Sequence, residues 1–172
     1  DQSESMAREL PDNGGVYLVP AFTGLGLPHW QSGARAAIVG LTPHSDSRHI
    51  VRAALEAIAF QIRDALEAMR GRTGVVLKRL HVDGGPTANS FLLQLIADLL
   101  GLELHVNTAT ECSPIGACMA GMLGTGHLPD LSALSALPAG DRIVRPHLPP
   151  EASDLLYAKW QTAVRQVLAG IS

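Results

Sequence analysis

The chain has 172 residues, a formal net charge of -3 and 47% hydrophobic residues, which is enough length and apolar content for one folded domain with a real core. Aromatic residues make up only 4%, so that core must be built from Ala, Leu, Val and Ile. The composition argues against disorder, and the mild acidity argues against nucleic acid or an anionic membrane as partner.

Residues 1–13 read as the tail of a helix or a linker that ends in the turn Asp12-Asn13-Gly14-Gly15. Asp1 to Leu10 carries acids and no apolar run, unlike a signal peptide. Val16 to Phe22 predicts a strand, with Pro20 at an edge or end. Thr23 to Gly33 is a loop, and Ala36 to Leu41 is a second short apolar run. Ser45, Asp46 and Ser47 offer caps for a long helix. Its apolar positions run from Ile50 through Ala57, Ile58 and Ile62 to Met69 at helical spacing. Gly71 and Gly74 mark its end.

Leu77 to Val82 predicts a strand, and Asp83-Gly84-Gly85 turns the chain. Thr87 is the expected cap of the next helix, whose face is Phe91, Leu92, Leu95, Ile96, Leu99 and Leu100, closed by Gly101. Leu102 to Val106 is another strand. Ser113-Pro114 opens a helix with Ser as cap and Pro in its first turn. Gly116, Ala117, Ala120 and Gly121 give that helix a body small enough for close approach to a neighbour. Leu128 to Pro149 is a looser connection with a short helix near Asp130. A final amphipathic helix runs from about Glu151 to Ala169.

The alternation of helix and strand from residue 45 to 125 argues for an α/β class with a partly parallel sheet. Two strong strands make a poor sheet. Either the runs at 16–22 and 36–41 complete it, or part of the domain lies elsewhere. Phe91 to Val106 is the most apolar stretch, and Gln94, Asp98 and Glu103 break it too often for a bilayer span. Cys112 and Cys118 do not have zinc-ligand spacing, and the histidines are scattered. Isolated thiols point to a reducing, cytoplasmic compartment.

Chemistry concentrates at Asp83-Gly84-Gly85. A glycine pair after a strand lets backbone approach a ligand closely. The helix that follows offers free N–H groups and the positive end of its dipole. Asn89, on its first turn, can donate and accept. The set suits a nucleotide, and it also suits an ordinary tight strand-to-helix turn. It is no P-loop, because Gly-x-x-x-x-Gly-Lys-Ser/Thr occurs nowhere. A Rossmann-type dinucleotide site fits poorly, because Gly-x-Gly-x-x-Gly is missing at this turn.

Three segments carry a resemblance. Ala36-Ala37-Ile38-Val39-Gly40-Leu41 followed, after seven residues, by His49-Ile50-Val51-Arg52-Ala53-Ala54-Leu55-Glu56 is similar to the second signature of the FGGY carbohydrate kinases. The runs from His81 to Leu92 and from Glu111 to Gly121 resemble later segments of that family, the first of them its nucleotide segment. The likeness extends from about Gly15 to Val167. Pro20-Ala21-Phe22-Thr23-Gly24-Leu25-Gly26-Leu27-Pro28-His29-Trp30 resembles the glycerol kinase branch, with His29 where Tyr is usual and Pro86 where Ala is usual.

The resemblance implies an actin-like ATPase (ribonuclease H-like) fold, with residues 1–172 forming part of the C-terminal lobe. It implies ATP with magnesium as cofactors and a polyol or sugar as substrate, glycerol first. The catalytic aspartate, the N-terminal lobe and the first strands of this lobe are expected outside the chain, so no catalytic residue is assigned here. Gly85 and Asn89 match the family's nucleotide contacts, with Gly84 and Asp83 beside them. Asp83 is expected to reach a metal-bound water or to brace the turn. A lobe that kept the fold and lost catalysis, acting as a binding module, is the alternative, and a homo-oligomer is left open.

The remaining singled-out residues have structural expectations. Trp30 and Trp160 are read as packing anchors, and Cys112 and Cys118 as small buried fillers. Arg35 is read as one arm of an ion pair holding its loop, and Glu111 as a charge favouring the next helix. Asp64 and Asp98 are read as solvated helix faces or local pairs.

Overall fold

The computed structural model describes residues 2–107, 112–136 and 141–170. The longest element, α2 (Ser47–Thr73), begins where three local signals agree. Asp46 is the cap, its side chain accepting the N–H groups of Arg48 and His49, and His49 closes a capping box onto the Asp46 backbone. Gly74 ends the helix, so Gly71 lies inside its last turn rather than beyond it.

Before α2 come α1 (Gln2–Arg8), β1 (Tyr17–Val19) and β2 (Ala37–Val39). The two strands pair antiparallel, Tyr17 opposite Val39. They form a separate two-stranded ribbon and do not complete the main sheet. Gly40 follows β2 with φ +83, and a Cβ there would lie 2.0 Å from the Gly15 carbonyl oxygen. Only glycine fits so close a crossing, which explains the Gly-Leu strand end in the sequence pattern.

The main sheet has the order β3-β4-β5. β3 (Arg79–Val82) is parallel to β4 (Glu103–Asn107), and β5 (Asp141–Val144) is antiparallel to β4. Helix α3 (Ser90–Leu100) connects β3 to β4, and Gly101 caps it. β5 lies within the stretch expected to be a loose connection. Its four residues are too short and polar to signal a strand, and pairing with β4 makes them one. The short helix near Asp130 is present as a 3-10 segment at Leu131–Ala136. The Asp130 carboxylate accepts from Ser132 N at 2.8 Å and Ala133 N at 3.2 Å.

The core lies between α2, α3, α5 (Pro150–Ala169), β1 with the loop after it, and the face of the main sheet that α3 covers. Phe60 of α2 stacks on Trp160 of α5, centroids 5.2 Å apart and planes 8° from parallel. Trp160 is 1% exposed, as expected of a packing anchor. Leu92, Leu93, Ile96 and Leu99 of α3 and Leu104 and Val106 of β4 are buried with it. Each such side chain stabilises the fold by about 1.5–3 kcal/mol.

Asp64 and Asp98 are both buried rather than solvated. Asp64 Oδ1 accepts the Tyr157 hydroxyl at 2.6 Å and Oδ2 accepts Trp160 Nε1–H at 2.9 Å. It therefore fastens α2 to α5, and burial together with this carboxylate pushes the Tyr157 phenol up. Asp98 accepts from the local Gln94 side chain at 3.0 Å and from His147 N at 2.6 Å. It thus holds the approach to α5 as well as making a local pair.

Helix α4 (Cys112–Gly124) starts one residue before Ser113, so the expected Ser cap lies inside the helix. Glu111 and the Cys112 side chain fall outside the described residues. Gly116, Ala117, Ala120 and Gly121 are exposed. A Cβ built on Gly116 or Gly121 meets nothing within 4 Å, so no described element uses the close approach these small residues permit. Cys118 is exposed, not a buried filler.

Candidate nucleotide-binding turn

Strand β3 ends at Val82 and delivers Asp83 and Gly84 to the C-terminal edge of the parallel pair. Gly84 has φ 89 and ψ 177, a region closed to residues with a Cβ. This glycine, rather than Gly85, makes the turn. Thr87 closes it, its N–H and hydroxyl both donating to Gly84 O, at 3.1 and 2.7 Å. Thr87 therefore braces the turn and does not cap α3. Arg142 of β5 donates to Thr87 O at 3.2 Å. A 3-10 segment, Gly85–Ala88, carries the chain to the helix.

Asn89 is the residue that caps α3. Its Oδ1 accepts Leu92 N–H at 3.0 Å, and its own backbone is extended, φ -86 and ψ 102. The side chain is buried, so the cap is well held. Because the carbonyl oxygen is committed to Leu92, the amide nitrogen is the group left for a ligand. Gly85 is exposed, and a Cβ there meets nothing within 4 Å. The turn thus presents bare backbone at Gly85 beside a donor at Asn89. Asp83 is exposed. Among the described residues no group of three or more His, Cys, Asp or Glu could hold a metal ion.

Sequence reasoning missed the contacts behind this turn. Ser90 follows the cap, and Glu4 of α1 accepts its N–H at 3.2 Å and its hydroxyl at 2.5 Å. Arg52 of α2 donates Nε to Glu56 at 2.8 Å and Nη1 to Ala7 O at 3.1 Å, and also bonds Leu10 O. Glu56 accepts Asn13 Nδ2 at 2.7 Å. The acid of the sequence signature is therefore a buried tie between α2 and the loop before β1. Burial pushes its carboxyl up, opposed by Arg52 and Asn13. Polar residues recurring within one signature were the available signal, but apart from the Arg52–Glu56 pair their partners are more than 40 residues away.

The glycine-rich loop between β1 and β2 is closed by paired Leu25 and Gln31 backbone bonds, each 2.9 Å. Phe22 and Trp30 stand out from it, 74% and 68% exposed, so Trp30 is no packing anchor. Arg35 donates to the carbonyls of Ser32 and Ala34 at 3.0 and 2.7 Å. It holds the loop through backbone oxygens instead of an ion pair.

Residues 2–125 match the model of the FGGY family of carbohydrate kinases, C-terminal domain. The chain is 46% identical over 168 residues to glycerol kinase of Shewanella woodyi, covering 98% of this chain and 34% of that protein. It is 47% identical over 162 residues to glycerol kinase of Citrifermentans bemidjiense, covering 94% and 32%. Among solved structures, Plasmodium falciparum glycerol kinase with ADP superposes with a TM-score of 0.85 at 30% identity, over 97% of this chain and 33% of that one. Xylulose kinase from Lactobacillus acidophilus shares the fold, with a TM-score of 0.77 at 22% identity over 98% and 34%. The chain spans about a third of the length of the relatives it matches. The sheet flanked by helices is that of an actin-like ATPase lobe. No described helix is long and apolar enough to cross a membrane.

Proposed function

From its membership of the FGGY family of carbohydrate kinases, we propose that this chain is the nucleotide-binding part of a two-lobed cytoplasmic kinase that phosphorylates glycerol from ATP, giving glycerol 3-phosphate. The N-terminal lobe, the first strands of this lobe and the aspartate that takes the substrate proton belong to the rest of that protein. Identity to glycerol kinases above 40% supports the polyol, and the ADP carried by the Plasmodium relative supports the nucleotide. ATP comes with magnesium, and no residue of this chain is given a role toward the ion.

The observation that carries the reading is the turn itself. Exposed Gly85 backbone and the Asn89 amide nitrogen lie in the one short segment that joins the parallel strand β3 to α3. Such a corner receives the adenosine side of a nucleotide through backbone contact and one donated hydrogen bond. Gly84 shapes the corner, and Asp83 flanks it.

The test is steady-state kinetics on the full-length kinase with ATP and glycerol varied in turn. Because Gly85 has open space around it, Gly85→Val leaves the fold intact and blocks the ligand. It is expected to raise the KM for ATP more than Asn89→Ala, which costs roughly ten-fold. The KM for glycerol stays nearly constant in both. An unaltered ATP dependence in folded variants removes the nucleotide from this turn, and a change confined to glycerol puts the other substrate there. The 172-residue chain alone is expected to phosphorylate no polyol, since positioning needs both walls of a cleft.

A further inference from the structure

The first turn of α3 is fastened from outside its own segment. Ser90 is its first helical residue, so its N–H has no partner within the helix. Glu4 Oε2 accepts that N–H at 3.2 Å, and Glu4 Oε1 accepts the Ser90 hydroxyl at 2.5 Å. Arg8, one turn further along α1, donates Nε to Glu4 Oε1 at 3.0 Å and Nη2 to Ser90 Oγ at 3.0 Å. The guanidinium of Arg8 lies 5.8 Å from the centre of the Phe91 ring, and that of Arg52 lies 5.2 Å from it. Residues 90 and 91 are therefore gripped by α1 and α2 together. The bond from Ser90, with Arg8 adding, holds the Glu4 carboxyl below its ordinary value. A carboxylate at this end also complements the helix dipole.

Asn89 immediately precedes this grip. A helix start leaves its first N–H groups without partners. Asn89 satisfies that of Leu92 from within, and Glu4 satisfies that of Ser90 from the far end of the chain. Both bonds set the same turn of backbone. Without Glu4, Ser90 N–H turns to water and the backbone next to the Asn89 cap loses its tie to α1. Asn89 then no longer presents its amide nitrogen in one fixed direction.

We propose that Glu4, supported by Arg8, is a positioning residue for the nucleotide. It does not touch the ligand and acts by holding the cap at Asn89. This rests on the nucleotide reading of the turn.

The experiment is a double-mutant cycle in the full-length kinase, with ATP and glycerol as substrates and a melting curve for each variant. Glu4→Ala is expected to raise the KM for ATP about three- to ten-fold, with kcat and the KM for glycerol within about two-fold. Glu4→Gln keeps an acceptor for Ser90 N–H and is expected to recover most of the loss. In an Asn89→Ala background, Glu4→Ala is expected to add nothing, because the group it positions is gone. If Glu4→Ala raises the KM for ATP equally in both backgrounds, Glu4 acts independently of Asn89 and the proposal is overturned. If Asn89→Ala weakens ATP while Glu4→Ala does not, the proposal fails and the nucleotide reading stands. If Asn89→Ala itself leaves ATP untouched, both fall together.

Discussion

The two sides of this lobe are built differently. On one, α2, α3 and α5 pack on one another and on β1 and β4, with Phe60 and Trp160 stacked and Asp64 tying helix to helix. On the other, α4 is apolar yet exposed at Ile115 and Met122, and β3 is paired only with β4 among the described residues. Apolar surface of this kind is what one element offers another, and an open strand edge invites pairing. The closed side holds the domain together. On the bare side that apolar surface and that strand edge lie uncovered among the described residues.

The sharpest way to break this contrast is at its closed end. Trp160→Ala removes a buried ring and leaves Asp64 without one of its donors. It is expected to destabilise by about 3–5 kcal/mol, read as a lower denaturation midpoint at unchanged slope. A loss under about 1 kcal/mol would mean the stack is not central.

A smaller effect belongs to the turn between the two sides. Asn89→Ala is expected to cost about 1 kcal/mol through the lost cap, measured by the same titration without nucleotide. Replacing Asn89 with Asp, another good cap that accepts but does not donate, restores stability while leaving nucleotide binding impaired. Full recovery of both would assign the ligand contact to another group.

On the bare side, Ile115→Ser with Met122→Ser is expected to change the isolated chain's stability by less than about 0.5 kcal/mol. The same pair should reduce self-association in sedimentation, which the unmodified chain is expected to show at high concentration. A marked loss of stability would place α4 in the core of the isolated chain.

The smallest effect is electrostatic. Burial raises the Glu56 carboxyl above the ordinary value of 4.5, so its contribution is complete below that pH and is lost as pH rises through the folded value. Subtracting the pH profile of Glu56→Gln from that of the unaltered chain isolates this one group. The difference is expected to fall as pH rises above 4.5. A difference that rises instead would mean that Arg52 and Asn13 outweigh burial.

Local pattern was enough for most of the elements. The capped start of α2, the Gly101 stop of α3, the strand-Gly-Gly-helix corner and the final helix depend on neighbours within a few residues, and all can be read along the chain. So can the family resemblance, because its signatures are short runs, although Gly40, Arg52 and Glu56 within them answer to contacts with residues 7–15. Other features depend on pairs far apart in sequence. β5 is a strand only because β4 lies beside it. Asp64 and Asp98 look like surface acids until α5 and its approach close over them. Thr87 is the expected cap of α3, with Asn89 inside the first turn, because a threonine side chain is suited to capping and local pattern does not fix the turn before it; the cap is Asn89. The φ of Gly84 decided it by turning Thr87 back onto the strand end. Glu4 carries no sequence signal at all. Its role comes from tertiary packing, which brings α1 against the start of α3 and gives a carboxylate one of the first-turn backbone N–H groups that the helix cannot satisfy for itself.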